Sequence, residues 1–297
     1  MAKLVECIPN VSEGRRTEVI ESIVGVIKEV PGVVLLDYSS DASHNRSVIT
    51  MVGDPDSVGE AAFRLAKAAR DNIDLNHHTG EHPRMGAIDV IPFVPIKEMS
   101  VAECVELSKK VGERIYNELS IPVFLYEESA TAPHRKNLAA IRKGQFEGMA
   151  EKVKQDKWHP DYGNDEIHPT AGVVAVGARA PLVAFNINLG TSDITVADKI
   201  AKIIRESSGG LKYVKALGVM LEDRNIAQVS INMCNYEKTP LYRVFELVRA
   251  EAARYGVNII GSEIIGLTPM GALIDTAEYY LKIENFSRAQ VLENRLM

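Results

Sequence analysis

Three of the chain's seven histidines fall in one short stretch, residues 77–85, which reads HHTGEHPRM. Histidines this close suggest a metal site, a proton-transfer site or a solvated loop. The metal reading is the weakest. His78 and His82 are four apart, as on a helical ligand pair, but Thr79-Gly80 and Pro83 argue against a helix there, and no HExxH pattern exists. No metal is therefore expected. His77 and His78 follow a predicted helix end and read as residues capping it. His82 is set differently. Gly80 and Gly86 permit unusual backbone angles around it, and Pro83 stiffens the turn. An imidazole held by a rigid turn suits general-base work near neutral pH. The flanking charges of Glu81 and Arg84 pull its pKa in opposite directions. The residues alone leave a catalytic His82 and a solvated loop histidine both open.

The elements that must position this loop follow from hydrophobic periodicity. Residues 4–8 form a short apolar strand closed by Pro9-Asn10. Val19, Ile20, Ile23, Val24 and Ile27 recur at helical spacing, and Pro31-Gly32 ends that helix. Strands follow at 33–36 and 46–52, with a polar turn, DYSSDASHN, between them. Asp54-Pro55 opens a second helix, the histidine loop comes next, and a strand spans 88–94. The same β-α-β-β-α-β order recurs at 182–189, 193–205, 215–221, 227–234, a helix opened by Thr239-Pro240 in the manner of Asp54-Pro55, and 257–260. The predicted fold class is α+β: two ferredoxin-like sandwiches, each a four-stranded antiparallel sheet with two helices on one face. Between them lie a helix at 100–119, a strand at 123–126 and a long segment, 145–178, read as irregular and functional. The boundary is expected near 176–182, giving domains 1–178 and 179–297. All seven histidines (His44, His77, His78, His82, His134, His159 and His168) precede residue 169. The chemistry is accordingly expected in the first unit and the linking segment, with the second unit as a wall of a shared cleft.

Composition narrows the class. The chain has 297 residues, 46% hydrophobic and 25% charged, as in soluble globular proteins. A net charge of −6 with scattered basic residues argues against nucleic acid as a partner. Cys7, Cys104 and Cys234 form no CxxC pair and read as buried residues in a reducing cytosol, so the expected location is cytoplasmic. No leader peptide and no run long enough to span a membrane are seen.

Four blocks then carry a family resemblance: LVECIPNVSEG at 4–14, HHTGEHPRMGAIDVIPFVP at 77–95, HPDYG at 159–163 and AFNINL at 184–189. Together they resemble glutamate formiminotransferase, the N-terminal part of animal formiminotransferase–cyclodeaminase, with no segment left for the cyclodeaminase. The resemblance implies transfer of a formimino group from N-formimino-L-glutamate to tetrahydrofolate, giving L-glutamate and 5-formiminotetrahydrofolate in histidine degradation. It implies a folate cleft between two subdomains, a homodimer, and tetrahydrofolate as co-substrate without a metal or redox cofactor. The family's catalytic histidine matches His82, which would take the proton of the attacking folate nitrogen and pass it to the departing glutamate nitrogen. The family's folate segment matches 163–172, here Gly163, Asn164, His168, Pro169, Thr170, Ala171 and Gly172. The reactants' carboxylates need cationic or amide partners. Arg46 and Arg84 are the cationic candidates, and Asn10 and Asn188 the neutral ones. Asp37 and Glu81 complete the expected substrate-binding set. Animal members carry an acid two positions after the residue matching Asp37, where this chain has Ser39. Whether Asp37, Asp41 or another acid orients His82 is open. The stretch 158–172, rich in Gly and Pro with embedded aromatics, is expected to close over folate as a lid. A formylglutamate donor and a folate-binding module without turnover are the competing readings.

Overall fold

The computed structural model describes residues 3–222 and 224–296, which fall into two compact units meeting in sequence at Ala180 and Pro181. The first carries strands β1 (Leu4–Cys7), β2 (Asn10–Val11), β3 (Val33–Asp41), β4 (Arg46–Gly53), β5 (Ile88–Lys97), β6 (Val123–Glu127) and β7 (Val174–Ala178). Its helices are α1 (Thr17–Lys28), α2 (Pro55–Asn72), α3 (Val101–Leu119), α4 (Leu138–Arg142) and α5 (Gln145–Lys152). Pro9 interrupts the first strand, and β1 and β2 together run between β4 and β5. The β-α-β-β-α-β portion has the spatial order β3-β4-β1/β2-β5, antiparallel throughout.

Here the structure exceeds the expectation. The sheet has seven strands rather than four, because the first strand is split into β1 and β2, β7 adds to β5 in parallel, and β6 adds to β7 in parallel. Strand β7 lies inside the segment read as irregular, and so do α5 and a 3-10 turn at Asp156–Trp158. Its residues, VAVGA, are all buried. A strand covered on both faces has no polar alternation, so its period-2 signal is lost. Strand β3 also runs on through Asp41 into the stretch read as a turn. A register shift between Leu35 and Asp37 and the cross-strand contact of Ser40 Oγ with Ser47 Oγ (2.7 Å) carry it there.

Helix starts follow local chemistry. The Asp54 carboxylate accepts from the amides of Asp56 and Ser57, with Pro55 opening α2. Ser100 and Glu103 form a capping box on α3. Ile20, Ile23, Val24 and Ile27 of α1 and Val58, Ala61, Ala62, Leu65 and Ala69 of α2 bury in one core with Ile49, Met51, Ile91 and Phe93. A second cluster joins Val90, Phe124, Tyr126 and Ala175 to Ile141 and Met149 of α4 and α5.

The second unit holds β8 (Val183–Leu189), α6 (Ile194–Ile204), β9 (Val214–Leu221), β10 (Ile226–Met233), α7 (Leu241–Arg254), β11 (Ile259–Ile265) and α8 (Met270–Leu281). Its sheet order is β11-β8-β10-β9, antiparallel throughout. Thr239 does not cap α7 as Asp54 caps α2; its hydroxyl donates to the carbonyl of Lys212 at 2.7 Å. Helix α8 lies beyond the elements read from the sequence.

Candidate active site

The histidine loop leaves α2 through a single 3-10 turn, Leu75–His77, capped by Asp74. His77 is 86% exposed and caps no helix. His78 is half-buried and bridges the loop. Its Nε2 lies 2.9 Å from the carbonyl of Asn45 and must donate, and its Nδ1 accepts from Arg84 Nε at 3.2 Å. Burial foremost, then Arg84, depress its pKa, so it is neutral. Arg84 in turn forms a two-pronged pair with Glu147 of α5, at 2.8 and 2.6 Å, and donates to Gln145. These contacts tie the loop to α5 and spend Arg84 on the protein itself.

Gly80 and Gly86 serve the loop differently from the expectation. Neither has a positive φ. Each is needed for close approach: a Cβ on Gly80 would sit 2.4 Å from the carbonyl oxygen of His44, and one on Gly86 2.0 Å from that of Val173. Glycine here lets two backbones touch.

Beyond the turn, β5 carries Asp89 in an otherwise apolar run. The pairing of β2 with β5 skips it: Asn10 opposes Val90 and Val11 opposes Ile88. Such a bulge re-aims a side chain. The Asp89 carboxylate is fully buried. Its Oδ2 accepts from Arg46 Nη1 at 2.8 Å and from Arg142 Nη2 at 2.6 Å, and its Oδ1 accepts from the Met85 amide at 3.0 Å. Burial opposes ionisation, yet both guanidiniums and the amide outweigh it and hold the carboxyl below its ordinary range. Arg46 also donates through Nε and Nη2 to Asn10 Oδ1 at 3.1 and 2.9 Å. One carboxylate facing two guanidiniums leaves a net positive charge in a largely dry place. Arg142 ends α4, and Lys152 holds that end. Its ammonium donates to the carbonyls of Ala140, Ile141 and Lys143 at 2.8, 2.6 and 2.9 Å.

His82 stands within the field of this cluster. Its burial lowers its pKa most; Arg46 and then Arg142 add to the effect, Asp89 opposes it, and the result is about 4. The ring is therefore neutral at pH 7. Its Nδ1 is shielded from solvent and makes no hydrogen bond among the described residues, as is true of Arg142 Nε. His44 lies edge-on, with ring centroids 6.2 Å apart. Asp41 pairs with His44 at 3.0 Å rather than with His82, and Asp37 is exposed on β3. The groups that set the His82 pKa are thus Arg46, Arg142 and Asp89 rather than its sequence neighbours Glu81 and Arg84. Glu81 is exposed and joins the scaffold through its amide, which donates to Ser43 O at 3.1 Å.

The stretch 163–172 is built as a fixed loop. His168 and Gly172 exchange backbone hydrogen bonds of 3.0 and 2.9 Å. His168 Nδ1 accepts from the amides of Ala171 and Thr170 at 3.0 and 3.3 Å. Pro169 O accepts from Asn76 Nδ2 at 3.0 Å, Thr170 O from the Leu75 amide, and Ala171 O from the Ala87 amide, the latter two at 2.9 Å. Gly163 and Gly172 hold positive φ, and Asn164 Oδ1 accepts from the Glu166 amide. These contacts tie 168–172, the end of the stretch expected as a lid, to residues 75–76 and 87. Asn188 lies in the second unit, 3% exposed, where Oδ1 accepts from Gln228 at 2.8 Å and Nδ2 donates to Glu263 at 2.9 Å.

Of the residues expected to act, Asn10 and Arg46 share one cluster, and His82 lies within its field. Arg84 belongs to a second network, and Asp37 and Asn188 belong to neither. Asp89 and Arg142 were missed. A lone carboxylate inside the apolar run AIDVIP was a signal for the first, since a buried charge needs partners. Nothing in the sequence marks Arg142. Among the described residues no three His, Cys, Asp or Glu side chains group as metal ligands would, and no helix is long and apolar enough to cross a membrane.

A neutral histidine beside a buried, net-cationic cluster is an arrangement for moving protons near an anion. The sequence comparisons define the class. Residues 4–179 match the N-terminal subdomain of the formiminotransferase domain, and residues 184–296 match the formiminotransferase domain. The chain belongs to the formiminotransferase family. It is 66% identical to glutamate formimidoyltransferase of Streptococcus pyogenes serotype M1 across the full length of both chains. It is 48% identical to that of Thermoplasma acidophilum, over 99% of this chain and 97% of the relative. It is also 44% identical to mouse formimidoyltransferase-cyclodeaminase, over all of this chain and 57% of the mouse protein.

Proposed function

We propose that the chain is a glutamate formimidoyltransferase that moves the formimino group of N-formimino-L-glutamate to tetrahydrofolate, with His82 as general base. The folate ring nitrogen adds to the formimino carbon. His82 takes the proton that this nitrogen sheds and returns it to the glutamate nitrogen as the carbon–nitrogen bond to glutamate breaks. The observation that carries the reading is the neutral, half-buried His82 beside the Asp89–Arg46–Arg142 cluster, in a chain of this family. A ring already neutral needs no deprotonation before it accepts a proton.

The same reading takes each unit as an elaboration of a ferredoxin-like sandwich, which both strand orders support, and takes 163–172 as the folate segment. It makes the protein a cytoplasmic homodimer. The apolar residues exposed along α8, Leu273, Tyr279, Tyr280 and Leu281, support a self-association surface. Absorbance change on mixing protein, tetrahydrofolate and N-formimino-L-glutamate tests the activity. Turnover above the uncatalysed rate is expected, and faster than with N-formyl-L-glutamate. Folate binding without turnover would make the chain a binding module instead.

A further inference from the structure

The turn that carries His82 is closed at its base by one pair of residues. His78 Nδ1 accepts from Arg84 Nε at 3.2 Å, and Arg84 Nη2 donates to the carbonyl of His78 at 3.3 Å. Each partner is also held from outside the turn. His78 Nε2 donates to the carbonyl of Asn45 at 2.9 Å, just before β4. The Arg84 guanidinium is held by Glu147 and Gln145 of α5. Between the two ends, anchoring reaches only as far as Glu81. Asn45 Nδ2 donates to the carbonyl of Thr79 at 3.0 Å, and the Glu81 amide donates to that of Ser43 at 3.1 Å. Neither His82 nor Pro83 makes a backbone–backbone hydrogen bond among the described residues. The next anchor is the carbonyl of Arg84, which accepts from the Phe146 amide at 2.9 Å. His82 is therefore suspended between two fixed ends, and the His78–Arg84 pair sets the span between them.

We propose that His78 is a positioning residue: acting through Arg84, it fixes the span of the turn and with it the place of the His82 ring. The proposal rests on the reading of His82 as the general base. The contact is specific in its chemistry. A ring nitrogen that faces a carbonyl must donate, and one that faces an N–H must accept, so the proton of His78 sits on Nε2 and its lone pair meets Arg84. The contact is also costly to lose. Arg84 is 8% exposed, and each of its three nitrogens has an acceptor. Without the imidazole, its Nε–H is buried with none, which draws the guanidinium away and releases that end of the turn. Proton transfer feels such a release keenly. A base must stand within hydrogen-bond reach of the proton it takes, and a displacement of about 1 Å costs about a hundredfold in rate. His77 has no such hold on the turn: its side chain is 86% exposed, with only Asp74 near it, at 3.9 Å. His78 itself gains and loses no proton in this role.

The test reads kcat on N-formimino-L-glutamate and the Kd for tetrahydrofolate in variants at His78. His78→Leu removes the acceptor and is expected to lower kcat by about ten- to a hundredfold with the Kd little changed. His78→Asn places an amide oxygen where Nδ1 stands and is expected to recover most of that loss. His78→Gln has no acceptor at that place; it is expected to follow His78→Leu and serves should His78→Leu not fold. The sharpest comparison repeats the substitution in a His82→Gln background. There it is expected to cause no further fall, because the group that His78 positions is gone. A residue that only stabilised the fold, or that met substrate itself, would lower the rate by the same factor in both backgrounds. Wild-type turnover in His78→Leu, no recovery in His78→Asn, or equal losses in the two backgrounds would overturn the assignment. A wild-type chain with no turnover, or His82→Gln with undiminished turnover, would instead sink the reading of the site, and this inference with it.

Discussion

A histidine that titrates at about 4 is a weak base for a reaction near neutral pH unless its substrate changes it. The sign of that change follows from the cluster. Burial comes first among the causes and persists or grows when substrate covers the ring. Arg46 and Arg142 come next, and an anionic substrate group near them would offset their part of the shift. The neutral form is the active one. Activity is therefore lost as pH falls through the pKa, and the limb lies near 4 in the free protein. The profile of kcat/KM, which reports free protein, is expected to level off well below the ordinary imidazole value of 6.5. A limb near 6.5 would show that neither burial nor the cations depress His82. From sequence, His82 stood out because a Gly-Pro frame and flanking charges surround it. Its electrostatic setting was hidden, because Asp89 and Arg142 are 53 positions apart and only the fold brings them together.

Among the elements, the short helix α4 matters more than its length suggests. Three of the carbonyls around Arg142 point at one ammonium, Lys152, which burial foremost and Lys143 next pull down to about 8. Lys152→Met keeps the apolar stem and removes the donors. It is expected to destabilise the fold by about 1–3 kcal/mol, read by denaturant unfolding, and to weaken use of the donor more than of folate. Unchanged stability would mean that α4 holds its own end. The loop 163–172 gives a second expectation. Its hydrogen bonds to 75–76 and 87 hold its backbone, so limited proteolysis there is expected to be equally slow with and without folate; cleavage that folate suppresses would favour the lid. The long amphipathic helices and alternating strands were legible because packing on one face leaves a period. Strand β7 was not, since burial on both faces erases the period, and neither were the hydrogen bonds that hold 168–172. Gly, Pro and Asp mark a turn without saying whether its amides find partners.

At the scale of the whole molecule, two units with related strand orders divide one chain, and the described histidines that could do chemistry all lie in the first. The order of elements was readable from the sequence because each β-α-β-β-α-β run repeats the same pattern of periods. Strand β6 was read as a strand, but its parallel place in the first sheet beside β7 was not, because a parallel neighbour is reached through long connections rather than a hairpin. Sedimentation at micromolar concentration is expected to give a dimer, with Leu281→Glu shifting it toward monomer; a wild-type monomer would contradict the self-association surface. The central claim is that His82 performs the proton transfer and does not merely line the site. Its most direct measurement is turnover and folate affinity of His82→Gln beside wild type. General-base loss predicts turnover on N-formimino-L-glutamate lower by about a hundred- to ten-thousandfold with the Kd for tetrahydrofolate nearly unchanged. Turnover close to wild type, or a loss confined to folate affinity, would contradict it.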